Sequence, residues 1–176
     1  GIVDPERRLD SFPSQLSGGL LQRAMIASTL LYEPELLLAD EPTTALDVTT
    51  QSAVMALIDR LRRERGMAMV FVSHDLELAA AVCDTINVMY AGRVVEKANI
   101  MNVFERPTHP YTKGLLASLP QAGVERLVPI NGFPPNMLQP PSGCAFRPRC
   151  AHATNACAES LPELHQIGES MSACIR

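Results

Sequence analysis

Two short apolar segments dominate the hydrophobic pattern of the chain. Residues 35–40 contain the run Leu-Leu-Leu-Ala closed by an acid, and Met67 to Ser73 reads Met-Ala-Met-Val-Phe-Val-Ser. Continuous apolar runs of this kind are typical of strands that are buried on both faces of a parallel sheet. Between them, Val48 to Arg65 has apolar residues at helical spacing, and Gly66 follows as a helix terminator. The order predicts a strand, a crossover helix and a second, parallel strand.

Further periodic segments extend this α/β unit on both sides. Apolar residues recur at helical spacing after Ser17-Gly18-Gly19, and Pro34 prevents that helix from continuing. Ala91-Gly92 is a turn signal between two short segments, which predicts a hairpin that completes the edge of the sheet. The predicted segments are helices at 20–31, about 75–84 and 111–119, and hairpin strands at 85–90 and 93–97.

The composition changes near residue 107. Ten of the 14 prolines lie from Pro107 onward, and four of the five cysteines lie from Cys144 onward. Such a segment has little capacity to form regular, packed structure of its own. The sequence therefore predicts an α/β domain over residues 1–104 and a small, irregular, Pro- and Cys-rich region over residues 105–176.

Charge and hydropathy exclude some functions. The 176-residue chain has a formal net charge of −4, so it lacks the overall positive field that holds nucleic acid, and no nucleic-acid partner is predicted. Its apolar runs are all shorter than the roughly 18 to 20 residues that cross a bilayer. Any association with a membrane is therefore expected to go through a partner protein.

The two predicted strands end in polar groups that suit phosphate chemistry. In open α/β sheets, ligands bind beyond the carboxyl ends of the strands. Asp40 closes the first strand and suits Mg²⁺, while Glu41 faces the other way because successive strand side chains alternate. Glu41 is thus available to a water molecule. The alternative for such an acid pair is a solvated strand end with no ligand.

Two other features have both a functional and a structural interpretation. The small residues Ser17-Gly18-Gly19 let backbone N–H groups approach an anion at the positive end of a helix, although the same turn can be a plain helix start. His74 follows the second strand, where a lone histidine is more often structural. Asp75 is predicted to cap the next helix.

The order and spacing of these motifs resemble the ATP-binding subunits of ABC transporters. Ser17-Gly18-Gly19 resembles their signature motif, Leu36 to Glu41 their Walker B motif, and Thr43 to Asp47 their D-loop. The resemblance implies an α/β fold, the C-terminal part of a P-loop NTPase domain with a parallel sheet, acting on ATP and Mg²⁺. In that family the signature turn contacts the nucleotide held by a second ATPase subunit. The residues at Leu20-Leu21 depart from the importer pattern.

The resemblance also assigns roles to single residues. Glu41 would be the catalytic carboxylate, and His74 would contact the γ-phosphate as a hydrogen-bond donor. Asp40 would hold Mg²⁺. The residues implied in contacting nucleotide or its metal are Ser17, Gly18, Gly19, Gln22, Asp40 and Asp47.

One motif of such a subunit is missing from the sequence. The pattern Gly-x-x-x-x-Gly-Lys-Ser/Thr, whose loop holds the β- and γ-phosphates, does not occur. We therefore interpret the chain as the C-terminal part of a longer subunit and expect it to be inactive alone.

The tail narrows the resemblance to one branch of the family. Thr108-His109-Pro110-Tyr111-Thr112 and the segment from Cys144 to Cys150 resemble the C-terminal region of oligopeptide and dipeptide importer ATPases. This implies a subunit that energises import of peptides, or of nickel or related small solutes, at the cytoplasmic face of the inner membrane. The implied partners are a homologous ATPase subunit in a homo- or heterodimer, transmembrane permease subunits and, indirectly, a solute-binding protein.

Four cysteines in the tail have the spacing Cys-x5-Cys-x6-Cys-x16-Cys, at Cys144, Cys150, Cys157 and Cys174. Four thiols in a short Pro-rich segment suit a metal-stabilised module. Two disulfides or four unrelated thiols are the alternatives, and spacing alone selects no metal. The family resemblance implies a [4Fe–4S] cluster, with Zn²⁺ as the alternative.

Two other functional classes fit part of the sequence. A soluble ABC ATPase with no role in transport would share the signature and Walker B motifs, but not the importer-like tail. A truncated chain that only binds a metal cluster or a partner protein would keep the tail and not use the ATPase motifs.

Overall fold

The computed structural model describes Ile2 and residues 4–44, 46–120 and 128–175. Its residues group into two compact units, Gly1–Cys83 and Asp84–Arg176. The first unit holds both apolar strands, and the second holds the hairpin together with the Pro- and Cys-rich tail. The division at residue 104, which follows the change in composition, stays a prediction.

The first unit has the predicted strand, helix, strand order. Its elements are α1 (Pro5–Arg8), a 3₁₀ turn (Pro13–Gln15), α2 (Gly18–Leu30), β1 (Leu36–Asp40), α3 (Val48–Arg65), β2 (Ala68–Val72) and α4 (Leu76–Val82). β1 and β2 pair in parallel with Leu36 opposite Ala68 and Asp40 opposite Val72. The predicted parallel unit is thus confirmed.

Local chemistry sets the helix ends in this unit. Ser17, Asp47 and Asp75 are the N-cap residues of α2, α3 and α4, and each side chain accepts a backbone N–H three residues later. Gly66 ends α3 in the left-handed region at φ 63°. The predicted capping role of Asp75 is confirmed.

One face of the β1–β2 pair is packed and the other is open among the described residues. The packed face contributes to a core of Leu30, Leu37, Ala39, Val54, Met55, Ile58, Met67 and Val82. On the open face, Leu38 lies opposite Val70, and these side chains are 71% and 50% exposed. The sequence pattern indicated burial on both faces, whereas within the described residues only one face is packed.

The second unit is built around an antiparallel sheet. Its elements are β3 (Thr85–Tyr90), β4 (Arg93–Asn99), α5 (Ile100–Glu105), α6 (Pro110–Ala117), a 3₁₀ turn (Arg147–Arg149), α7 (Ala156–Glu159), β5 (His165–Ile167) and β6 (Ser170–Ser172). The strand order is β3-β4-β6-β5. Ala91 and Gly92, both at positive φ, form the predicted hairpin turn.

The predicted position of the hairpin is wrong. It was expected at the edge of the sheet that contains β1 and β2, but across the described ranges β4 pairs instead with β6 of the tail. Glu96 lies opposite Ser172, and the Ala173 N–H donates to the Val95 carbonyl at 2.8 Å. The tail strand thereby satisfies backbone groups that β4 would otherwise expose.

An aromatic cluster packs this second unit. The ring centroids of Tyr90 and Tyr111 are 4.6 Å apart, and that of Phe146 lies 5.3 Å from Tyr90 and 5.5 Å from Tyr111. Arg149 donates to the Ile130 and Asn131 carbonyls and to the Tyr90 hydroxyl. These contacts join the hairpin, α6 and the cysteine-rich segment into one core.

No helix in the described parts of the chain has the length and apolar character needed to cross a membrane.

The open face of the β1–β2 pair should promote association of the chain. Replacing Leu38 and Val70 together by Thr keeps strand-forming residues while removing exposed apolar surface. We expect the double variant to aggregate less at equal concentration, as measured by light scattering. Leu37→Ala is the matched control on the packed face, where we expect a loss of about 2–5 kcal/mol in the free energy of unfolding. Unchanged aggregation of the double variant would contradict the prediction.

Candidate functional site

Glu41 and His74 lie together at the carboxyl ends of β1 and β2. The Glu41 N–H donates to the Val72 carbonyl at 2.9 Å, and the residue adopts a left-handed backbone at φ 44°. This turn directs its carboxylate to His74, with 2.9 Å between Oε1 and Nδ1, while the Thr44 hydroxyl donates to Oε2 at 3.0 Å. Parallel pairing of the strands thus brings together two residues that are 33 positions apart.

The two side chains shift each other's titration. Hydrogen bonds from His74 and Thr44 lower the pKa of the Glu41 carboxyl, and the hydrogen bond with Glu41 raises the pKa of the His74 ring. Both shifts favour a carboxylate beside an imidazolium. The pair is exposed to solvent, with 43% and 77% of the two side chains accessible. It therefore contributes little to folding and is open to a ligand.

Asp40 precedes this pair and faces the open side of the sheet, on the same face as Leu38. Glu41 lies just beyond β1 and has a left-handed backbone, so the opposite orientation of the two carboxylates stays a prediction. Asp40 offers oxygen ligands at an accessible strand end, which is the donor chemistry that Mg²⁺ requires. Its role as a metal ligand stays a prediction.

The signature-like turn is connected to the Glu41 turn through one side chain. Ser17 caps α2, and Gly18 and Gly19 form the first residues of that helix. Gln22, one turn later, donates from its amide nitrogen to the Pro42 carbonyl, directly after Glu41. The sequence did not indicate this contact. The predicted nucleotide contacts of Ser17, Gly18, Gly19 and Gln22 stay predictions.

Asp47 has a structural role in addition to the predicted one. Its Oδ1 accepts the Thr50 N–H at 2.9 Å, which caps α3. Hydrogen bonds from Thr50 lower the pKa of this carboxyl. A contact from Asp47 to nucleotide stays a prediction.

The four tail cysteines line one small cavity. It measures about 20 Å³, and its walls include Cys144, Cys150, Cys157, Cys174, His109 and Phe146. Cys144 and Cys157 are also joined through their backbones, since the Cys144 N–H donates to the Cys157 carbonyl at 2.8 Å. Burial raises the pKa of the Cys144 and Cys150 thiols. The thiol form is therefore favoured when nothing stabilises the thiolates.

The donor set suits a thiophilic metal, although the side chains do not form a ready-made site for a single metal ion in the described residues. Over the described ranges, no group of three or more His, Cys, Asp or Glu side chains has an arrangement that would hold a metal ion. All five cysteines lie in the described ranges, and none of them forms a disulfide there.

Comparisons with known proteins identify the family of the chain. Residues 95–157 match the family described as "Oligopeptide/dipeptide transporter, C-terminal region", and residues 1–44 match the family described as "ABC transporter". The chain belongs to the peptide-type ABC transporter ATP-binding family. The resemblance drawn from its motifs is thereby confirmed.

Three relatives illustrate how far the similarity of this ABC-family chain extends. It is 48% identical to "Probable peptide ABC transporter ATP-binding protein y4tR" of Sinorhizobium fredii, over 94% of this chain and 50% of the relative. It is 46% identical to "Dipeptide transport ATP-binding protein DppD" of Haemophilus influenzae, over 99% and 53%. For "Oligopeptide transport ATP-binding protein OppD" of Escherichia coli the identity is 45%, over 99% and 52%. The chain spans about half the length of the curated relatives it matches.

Solved structures confirm the fold of the ABC cassette. A dimeric, post-hydrolysis structure of the ATP-binding cassette MJ0796 with ADP and Pi is 38% identical, with a TM-score of 0.51. The match covers 54% of this chain and 40% of that cassette. A second dimeric structure of the same cassette matches equally.

Sequence reasoning missed a buried polar cluster where β4 meets the tail of this ABC-family chain. Glu96 on β4 is fully buried, and its carboxylate accepts the Thr108 N–H, the Thr108 hydroxyl and the His109 N–H at 2.7–2.9 Å. His109 is buried beside it and caps α6 by accepting the Tyr111 N–H at Nδ1. Only the motif around Thr108 marked this region in the sequence, because nothing in a strand sequence predicts a buried glutamate.

His109 should make the stability of the second unit depend on pH. Burial lowers its pKa from 6.5 to about 4, so below pH 6.5 the unfolded chain binds a proton that the folded chain does not. Stability attributable to this group is complete above pH 6.5 and is lost as the pH falls towards 4, by up to about 3 kcal/mol. We expect denaturant unfolding at stepped pH to show this loss in the original chain and not in His109→Gln. Parallel pH curves for the two proteins would contradict it.

Proposed function

We propose that this chain is the C-terminal part of an ATP-binding and ATP-hydrolysing subunit that energises import of peptides, or of nickel or related small solutes, through an ABC transporter. The Glu41–His74 pair at the strand ends is the observation that supports the ATPase role most directly. The match of residues 95–157 to the oligopeptide/dipeptide transporter region supports the transport role, rather than that of a soluble ABC ATPase.

The chemistry of the site follows from the positions of its side chains. Asp40 would hold Mg²⁺, which neutralises charge on the phosphates of ATP. Glu41 is held as a carboxylate, and each of its oxygens keeps a further lone pair beside the contacts from His74 and Thr44. It can therefore orient and polarise a water molecule. The raised pKa of His74 shifts it towards its charged form, in which it can donate a hydrogen bond to negative charge that develops on the γ-phosphate.

The proposed partners follow from the division of the site between subunits. Ser17, Gly18 and Gly19 would contact the nucleotide of a homologous ATPase subunit, in a homo- or heterodimer. The dimeric state of the matched cassette structures supports this arrangement. We further propose that the dimer binds transmembrane permease subunits at the cytoplasmic face of the inner membrane, and that a solute-binding protein delivers the cargo.

Glu41→Gln tests the catalytic assignment. In a complete subunit that includes the phosphate-binding loop, the substitution removes the negative charge while keeping the size of the side chain. We expect the rate of Mg-ATP hydrolysis to fall on the order of 10²–10⁴-fold, while ATP binding is kept. The measurement is steady-state phosphate release together with nucleotide binding by fluorescence.

Two controls sharpen this test. Glu35→Gln, at the residue just before β1 and at the opposite end of the strand from the site, should leave hydrolysis near the original rate. The 176-residue chain alone should show no hydrolysis, because its sequence contains no phosphate-binding loop. Near-normal turnover by the Glu41→Gln subunit would exclude Glu41 as the catalytic carboxylate.

We also propose that Cys144, Cys150, Cys157 and Cys174 bind a [4Fe–4S] cluster, with Zn²⁺ as the alternative. Their shared cavity and all-thiol donor set support a thiophilic metal. Replacing any of the four by Ser should reduce the bound metal, whereas Cys83→Ser, outside the cavity, should not.

The identity of the metal has a direct measurement. After anaerobic purification, we expect a broad absorbance at about 410 nm together with about four iron and four sulfide per chain. Stoichiometric zinc without iron would show that the four cysteines bind Zn²⁺ and not an iron–sulfur cluster. A chain with neither metal under these conditions would contradict the metal site.

A further inference from the structure

We propose that His109 and Glu96 act as a positioning pair that holds the C-terminal strand β6 on β4, so that Cys174 reaches the cysteine cavity. The inference rests on the proposed metal site and concerns residues outside its four cysteines. It gives a physical role to the Thr108-His109-Pro110 motif, which the ATPase function does not use.

Cys174 depends on a short strand for its position. The other three cysteines lie between residues 144 and 157, whereas Cys174 follows β6, which is only three residues long. Two residue pairs, Glu96 with Ser172 and Lys97 with Met171, join β6 to β4, and one more bond links Ala173 to Val95. So few ladder bonds give marginal stability by themselves. Additional contacts must therefore hold the residues next to Cys174.

His109 supplies such a contact. Its Nδ1 accepts the Tyr111 N–H, so the ring proton lies on Nε2 in the neutral form. The ring also lies against the backbone of Ala173, the residue directly before Cys174, whose polar group favours a proton on the ring. The same ring lines the cysteine cavity. With backbone partners on both sides, the imidazole positions the strand and is not expected to act as a ligand.

Glu96 fixes His109 from the other side. Its carboxylate holds the His109 N–H at 2.9 Å and both donors of Thr108, so the start of α6 is attached to β4. Glu96 is also the direct cross-strand partner of Ser172 on β6. A buried carboxylate that accepts three hydrogen bonds is satisfied and costly to displace. β4, α6 and β6 are therefore joined around one buried residue.

Two substitutions of His109 separate its two contacts. Asn is a good N-cap residue and keeps the acceptor for Tyr111, but its side chain is too short to replace Nε2 at Ala173. Gln is longer and can donate to the Ala173 carbonyl, although it is a poorer cap. If the strand contact matters, His109→Gln should behave like the original chain and His109→Asn should not. If only the cap matters, the order is reversed and the proposal is wrong.

Cobalt(II) is the probe for the metal site, because its visible and thiolate charge-transfer bands report both affinity and donor set. Cobalt(II) is titrated anaerobically into the 176-residue chain. We expect the four-thiolate spectrum for the original chain and for His109→Gln. We expect His109→Asn to bind about 10- to 100-fold more weakly, the usual effect of losing a residue that orients ligands. A spectrum that loses an imidazole contribution in both variants would make His109 a ligand and overturn the positioning role.

Amide hydrogen exchange of the metal-free chain tests the same pair without the metal. His109→Asn should speed exchange at Met171 and Ala173 but leave the β3–β4 ladder protected, while His109→Gln should keep both protected. Unchanged exchange in His109→Asn would overturn the proposal. If His109→Asn loses protection throughout the second unit, that variant has unfolded and the test passes to His109→Gln. Weaker cobalt binding by a folded His109→Gln chain would then refute the positioning role of His109.

The two experiments fail in distinguishable ways. No cobalt binding by the original chain would refute the metal site, and hydrogen exchange would then decide the role of His109 alone. Cobalt binding by the original chain with equal affinity in His109→Asn would leave the metal site intact and refute the positioning pair.

Discussion

Parallel backbone pairing between β1 and β2 is the interaction on which the candidate ATP site depends. It aligns the carboxyl ends of two strands, so Glu41 and His74 reach hydrogen-bonding distance although a whole helix separates them in the chain. The left-handed backbone at Glu41 then directs the carboxylate to the histidine. The side chains are exposed and cannot contribute much to folding, so the packed face of the strands must supply the stability that holds them.

In the second unit, antiparallel strand pairing and buried polar groups bring distant residues together. Three residues of the tail extend the hairpin sheet, and the buried Glu96 joins that sheet to the start of α6. The cysteine cavity lies next to the 3₁₀ turn Arg147–Arg149, whose N-cap residue, Phe146, lines the cavity. In both units, residues far apart in sequence meet because strands pair, and a few charge-assisted hydrogen bonds fix their orientation.

The elements that the sequence predicted correctly are those marked by a clear local pattern of residues. Apolar runs identified β1 and β2, helical periodicity with Gly66 identified α3, and Ala91-Gly92 identified the hairpin turn. β5 and β6 were missed because each is three residues long and carries polar side chains, so neither shows a hydrophobic pattern. The error in placing the hairpin has the same origin, since its partner strand was not recognised.

The sequence by itself determined the family, the order of the motifs, and the residue types at the strand ends and in the cysteine-rich tail, because these depend on local spacing and composition. The tertiary structure alone decided which groups meet: Glu41 with His74, Gln22 with Pro42, and Glu96 with His109. It also brought the four cysteines to one cavity. These contacts depend on strand pairing and burial between distant segments, which no local pattern of side chains encodes.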